Sequence, residues 1–185
     1  MTRTREHRHA ELTEFIRLLR AEGVERYLEI GARCGDSFEM IMRALPAGSR
    51  GVAVDLPGGA WGADGSRRLL RETVARLNRD GYHCGVVFGA SQSARVIGQV
   101  AEHGPYDAVL IDADHRYEAV AADWNSYRSL GRLVAFHDIA SIGIVDQRSG
   151  RAVEVPRLWN EIKAQHRHDE IVAPESILGI GVIYV

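Results

Sequence analysis

Thiols are scarce in this sequence. Cys34 and Cys84 are the only two cysteines in 185 residues, too few and too far apart for a disulfide framework or a closely spaced zinc motif. A chain of this length can bury a core without covalent staples, so a reducing cytoplasm is the expected compartment. No stretch approaches the roughly 18 consecutive apolar residues of a membrane span. The start, Met1-Thr2-Arg3-Thr4-Arg5, is followed by charged and polar residues instead of the apolar segment of a secretory leader. A surplus of one charge is also missing. With 23 basic residues against 25 acidic, nothing draws the chain to a phosphate backbone or an anionic bilayer. These absences argue against a nucleic-acid or membrane partner and leave homo-oligomerisation open. What remains is a globular chain, 45% hydrophobic and 26% charged, read as one domain over residues 1–185 with no repeat or linker.

Leu12, Phe15, Ile16 and Leu19 recur at helical spacing within 10–22, and Gly23 stops that helix. The short apolar runs 27–30, 51–55, 86–88, 107–112 and 132–136 then alternate with helical segments near 37–45, 66–80, 92–102 and 117–129. Strands of nearly continuous apolar residues separated by helices indicate a parallel sheet covered on both faces. After a helix at 156–167, runs 171–173 and 180–185 are joined through Pro174-Glu175-Ser176, which predicts an antiparallel hairpin at the sheet edge. The expected fold is α/β: a doubly wound, mostly parallel seven-stranded sheet closed by that C-terminal hairpin. Ligands in such sheets bind beyond the carboxyl ends of the strands. Two loops rich in small residues lie there: 56–66, with glycines at 58, 59, 62 and 65, and 140–153.

The first strand leads into Glu29-Ile30-Gly31-Ala32-Arg33-Cys34-Gly35-Asp36-Ser37. Gly31 and Gly35 bracket a tight turn where backbone can approach a ligand, ahead of a helix N-terminus that favours an anionic group. Asp55 ends the second strand, where a carboxylate can accept from a ribose diol. Ser91 follows the third strand and can meet an adenine edge, although no acid stands beside it. Trp61, in the glycine-rich loop, is suited to stack on the adenine or on the substrate. The densest polar cluster is Asp112-Ala113-Asp114-His115-Arg116-Tyr117 after the fourth strand, with His137-Asp138 after the fifth. Neighbouring strands would bring these together, so Asp112, His137 and Asp138 can supply ligands to a divalent cation such as Mg or Mn, with positions open for substrate oxygens. His115, with an ordinary pKa of about 6.5, is the candidate base. A metal-free site with histidine alone as base is the competing arrangement.

At these residues the sequence resembles the class I S-adenosylmethionine-dependent methyltransferases, a Rossmann-like fold, and within them the metal-dependent O-methyltransferases. Glu29-x-Gly31-x-x-x-Gly35-x-Ser37 is similar to their cofactor loop and Asp55 to their ribose acid. Ile111-Asp112-Ala113-Asp114-His115-x-Tyr117 with Phe136-His137-Asp138-Ile139 is similar to the paired motifs of the branch holding macrolide-sugar O-methyltransferases and cephalosporin-hydroxylase-like proteins. The resemblance implies that Glu29, Gly31 and Ser37 meet the methionine part of S-adenosylmethionine, that Asp55 meets its ribose, and that Asp112 lies at the junction of cofactor and metal. His137 stands where the family places an acid, and position 90 lacks the acid often found there. The implied activity is methyl transfer to a hydroxyl oxygen of a small molecule. A nucleoside-binding module without transfer activity and an NAD-dependent dehydrogenase are the alternatives, the latter disfavoured by glycine spacing that does not suit a pyrophosphate.

Overall fold

The computed structural model describes residues 2–59, 61, 65–147 and 149–185; Gly62 of the glycine-rich loop lies outside them. Helix α1 (Thr2–Ala21) precedes a run of alternating units: β1 (Arg26–Ile30), α2 (Asp36–Ala44), β2 (Arg50–Asp55), α3 (Ser66–Arg79), β3 (His83–Phe88), α4 (Ala94–Glu102), β4 (Tyr106–Ile111), α5 (Tyr117–Tyr127) and β5 (Gly131–His137). Helix α6 (Val155–Lys163) and strands β6 (Arg167–Ile171) and β7 (Ile180–Tyr184) complete the chain. The strand order is β3-β2-β1-β4-β5-β7-β6. Strands β1 to β5 pair in parallel, whereas β7 is antiparallel to both β5 and β6. This is the doubly wound sheet with a terminal hairpin read from the sequence.

Period-2 alternation within each strand divides the core into two layers. Leu28, Ile30, Val52, Val54, Val109, Ile111, Val134 and Phe136 face one side and pack with residues of α4, α5 and α6. Tyr27, Ala53, Ala108, Leu110, Leu133 and Ala135 face the other and pack with α1, α2 and α3. Because both faces are covered, the strands carry few polar positions, which is why they read as apolar runs. Among the described residues no helix is long and apolar enough to cross a membrane.

Boundaries differ from the sequence expectation at β3, which starts at His83 instead of 86, at α6, which ends at Lys163 instead of 167, and at two further elements. The sixth strand is Arg167–Ile171 instead of 171–173. As the outer edge strand it is mostly exposed, so its Arg-His-Asp-Glu run carries no apolar signal. Helix α1 begins at Thr2 instead of near residue 10, because its first turns lack the apolar spacing that marks a buried face.

Gly181 in β7 lies under the ring of the buried Trp159, where an added Cβ would sit 2.6 Å from a ring carbon. The indole is pinned by a 2.6 Å hydrogen bond from its Nε1 to Glu170 Oε1 and cannot readily swing away. Gly181→Ala is expected to destabilise the fold by about 2 kcal/mol through overpacking, measured by urea denaturation.

Candidate active site

The order β3-β2-β1-β4 places the switch point of the sheet between β1 and β4, and the predicted site residues gather at the carboxyl ends around it. The glycine turn after β1 has three residues at positive φ: Gly31 at 97°, Arg33 at 50° and Gly35 at 90°. Its first two N–H groups donate to the Val54 carbonyl at 2.8 and 2.9 Å, continuing the ladder to β2. Helix α2 then opens with no side-chain cap.

Both glycines are required by the protein itself. A Cβ on Gly31 would lie 2.1 Å from the Asp112 carbonyl oxygen, and one on Gly35 would lie 2.9 Å from Leu70 Cδ1. A larger residue at 31 therefore strikes the backbone after β4, not only the space left for a ligand. Glu29 is wholly buried. Its Oε2 accepts from Tyr27 Oη at 2.8 Å and its Oε1 from Ser37 Oγ at 2.5 Å, so the acid ties β1 to the first turn of α2.

Asp55, at the end of β2, accepts from the Arg33 N–H at 3.1 Å through Oδ1 and from Ser66 Oγ at 3.4 Å through Oδ2. Burial pushes its pKa up, and these two donors pull it part of the way back. The long Ser66 contact leaves Oδ2 loosely committed. Beyond β3, the Ser91 carbonyl accepts from Tyr127 Oη at 2.5 Å.

The acid and imidazole cluster forms as the strand adjacency implies. Asp112 Oδ1 lies 3.4 Å from His115 Nε2 and 3.4 Å from His137 Nδ1. Asp138 contacts His115 Nδ1 at 2.9 Å through Oδ2 and His137 Nδ1 at 3.0 Å through Oδ1. These contacts are close but poorly aligned. His115 Nδ1, both ring nitrogens of His137 and Asp138 Oδ1 are buried without a hydrogen bond of ordinary geometry. Burial works to neutralise all four groups, yet mutual attraction outweighs it. His115 is raised to about 9 and His137 well above its ordinary value. Asp112 and Asp138 are held below the usual carboxylate range.

Ligand atoms of Asp112, His115 and Asp138 lie within 4.8 Å of one another. The sequence pairs His137 with the two acids; in space His115 takes its place in the compact set, and His137 Nδ1 lies beside both carboxylates. Trp61 stacks on His115, with ring centroids 4.5 Å apart and planes 15° from parallel. The indole thus covers an imidazole of the cluster, a contact that no spacing rule signals. The 140–153 loop is tied in where Glu154 N donates to the His115 carbonyl at 2.8 Å. Asp114 stands apart from the cluster, forked by Arg116 at 2.6 and 3.0 Å. Asp123 of α5 is a further buried acid that sequence reasoning missed.

The sequence matches a protein family described as a methyltransferase domain over residues 28–139. No curated protein matches it. Among solved structures, the O-methyltransferase from Bacillus cereus in complex with SAH superposes with a TM-score of 0.68 at 19% identity, covering 94% of this chain and 80% of that one. TomG from Streptomyces achromogenes, an O-methyltransferase involved in tomaymycin synthesis and solved with SAM, gives a TM-score of 0.64 at 19% identity, covering 94% and 78%. At these identities the likeness is one of fold.

Proposed function

The chain belongs to the methyltransferase-domain family, and from that premise we propose that it moves a methyl group from S-adenosylmethionine to a hydroxyl oxygen of a small molecule, assisted by a divalent cation, with residues 1–185 acting as a single domain. The observation that carries this reading is the convergence of Asp112, His115, His137 and Asp138, with the Asp112 main chain packed against Gly31 of the glycine turn.

Methyl transfer from a sulfonium is an in-line displacement, so the protein must align two reactants and make the acceptor oxygen nucleophilic. The Gly31–Gly35 turn and the uncapped start of α2 suit the amino-acid end of the cofactor, and Asp55 Oδ2 suits its ribose. Glu29 and Ser37, bonded to each other, stiffen this turn.

The donor set fits a hard divalent cation such as Mg or Mn: two carboxylates and a neighbouring imidazole, several of their atoms buried and lacking aligned partners. Asp112 and Asp138 would hold it, with His137 Nδ1 in reach of both carboxylates, which leaves His115 as the base. Bound there, a cation would lower the pKa of an acceptor hydroxyl. His115 holds its own proton up to about pH 9 while both carboxylates face it. It can take a proton from substrate at neutral pH only when Asp112 and Asp138 are committed elsewhere. A metal-free site has one point in its favour, since two imidazoles already balance two carboxylates.

The test is a methyl-transfer screen over sugar and phenol acceptors, run after chelation and again with Mg or Mn restored. Loss of turnover on chelation and recovery on add-back is expected. Turnover that survives thorough chelation would select the metal-free site.

A further inference from the structure

Helix α1 buries an acid. Glu11 lies beside Leu12 and Phe15 on the inner side of the helix and is 1% exposed. Its Oε1 accepts from Ala173 N at 3.0 Å, which ties α1 to the start of the β6–β7 connection. Its Oε2 is buried with no hydrogen-bond partner. A glutamine would make the same tie, so the tie does not account for a carboxylate, and burying a carboxylate without a cation is costly.

Glu11 borders a cavity of about 450 Å³ between α1 and that connection, whose wall includes Thr13, Glu14, Ile171, Val172 and Pro174. Among the described residues no basic side chain lines it. Glu14 is already paired with Arg17, so the uncompensated charge belongs to Glu11. One buried carboxylate among aliphatic walls suits an ammonium on a carbon skeleton: the N–H donors make a charge-assisted bond and the skeleton covers the walls.

The cavity lies at the edge of the sheet that carries the acid cluster. Ile171 pairs with Ile180, and Ile180 with His137, which puts the cavity wall two strands from His137, roughly 10 Å away. His137 continues the Leu133 and Ala135 series of β5, so it leaves the sheet on the α1 side, where the cavity is. Between the two, Val172 of the cavity wall and Ile139, the residue after Asp138, close on Gly179, whose Cβ position lies 3.0 Å from a side-chain carbon of each.

We propose that this cavity holds an ammonium group against Glu11 Oε2, and that the ammonium is the far end of the methyl acceptor, an amine-bearing hydroxyl compound. The assignment to the acceptor rests on the methyl-transfer reading above; the ammonium site does not.

The test is calorimetry on the full chain at pH 7.5, with Mg and S-adenosylhomocysteine present, using phenols that differ only at the far end: tyramine with an ammonium, 4-ethylphenol with no charge and 3-(4-hydroxyphenyl)propionate with a carboxylate. The parent is expected to bind tyramine about tenfold more tightly than 4-ethylphenol, the scale of one charge-assisted hydrogen bond, and the propionate least. Glu11→Gln keeps the Ala173 contact and should bring tyramine down to the level of 4-ethylphenol. Ala10→Lys, at an exposed position on the cavity wall, supplies an ammonium of the chain's own and should do the same, which decides the matter if Glu11→Gln does not fold. A purely structural role for Glu11 would weaken all the phenols together and leave their ratios unchanged. A parent with no preference for tyramine, or either folded variant keeping the full preference, overturns the ammonium site. Phenethylamine, which lacks the hydroxyl, should bind less tightly than tyramine; equal binding overturns the assignment to the acceptor. A parent that keeps the tyramine preference but binds no S-adenosylhomocysteine overturns the S-adenosylmethionine reading and leaves the ammonium site standing.

Discussion

Gly31→Ala is expected to cost about 4 kcal/mol of folding stability or to leave no soluble protein, the sum of backbone strain and an overpacking clash. The residue sits at φ 97°, and its missing Cβ would fall 2.1 Å from the Asp112 carbonyl oxygen and 2.5 Å from its carbon. The atoms it would strike are main chain, and they cannot retreat: Asp112 N is itself bonded to the Ile30 carbonyl at 2.8 Å. Gly48 provides the control. Its φ of 86° is similar, but nothing lies within 4 Å of its Cβ position. Gly48→Ala should therefore cost only the left-handed penalty of about 1 kcal/mol. Urea denaturation of both variants measures the difference, and equal losses would show that contact with Asp112 is not what demands glycine.

Asp112→Asn is expected to lower turnover about a thousandfold, the scale of losing a metal-polarised hydroxyl, with the chain still folded. Steady-state rates at saturating Mg or Mn measure the loss, and a drop of less than about tenfold would remove Asp112 from the proposed chemistry. A second readout follows from the histidines. In the chelated parent His115 titrates at about 9, above its ordinary value, because Asp112 and Asp138 outweigh burial. Its contribution to stability is therefore complete below the ordinary histidine pKa of about 6.5 and disappears as pH rises through 9. Removing the Asp112 charge takes away part of it. The variant should be most destabilised near pH 6 and approach the parent above pH 9, and NMR titration should find His115 moved downward. A His115 titration unaltered by the substitution would contradict this coupling.

Most of the architecture is legible in the sequence because β1 to β5 are covered on both faces and their apolar runs have no other explanation. Edge strand β6 is not, since solvent on its exposed positions permits Arg167, His168, Asp169 and Glu170. The same division runs through the site. Asp112, His137 and Asp138 are readable because strand order dictates that the ends of β4 and β5 are neighbours. That His115 shares the compact set, and that Trp61 lies flat on it, depends on how two loops fold back, which no periodicity records. Gly31 is readable as a glycine needing unusual backbone, but its real neighbour, the Asp112 carbonyl, is distant in sequence. Asp123 escapes notice because a polar residue among the apolar positions of a helix looks like an interruption until its burial is known.

Strand β1 sits between β2 and β4, and this has a consequence for the birth of the protein on the ribosome. The emerging chain can assemble β1, β2 and β3 together with the glycine turn while one side of β1 still has no neighbour. Until β4 arrives, Tyr27, Leu28 and Ile30, all buried in the finished fold, border a row of open main-chain groups of the kind that recruits other chains. A transcript broken before β4 would consequently yield an adhesive fragment instead of a weakened enzyme. The strand that covers β1 is also the one that delivers Asp112, whereas His137 and Asp138 come with β5, so the acid cluster is completed one strand later.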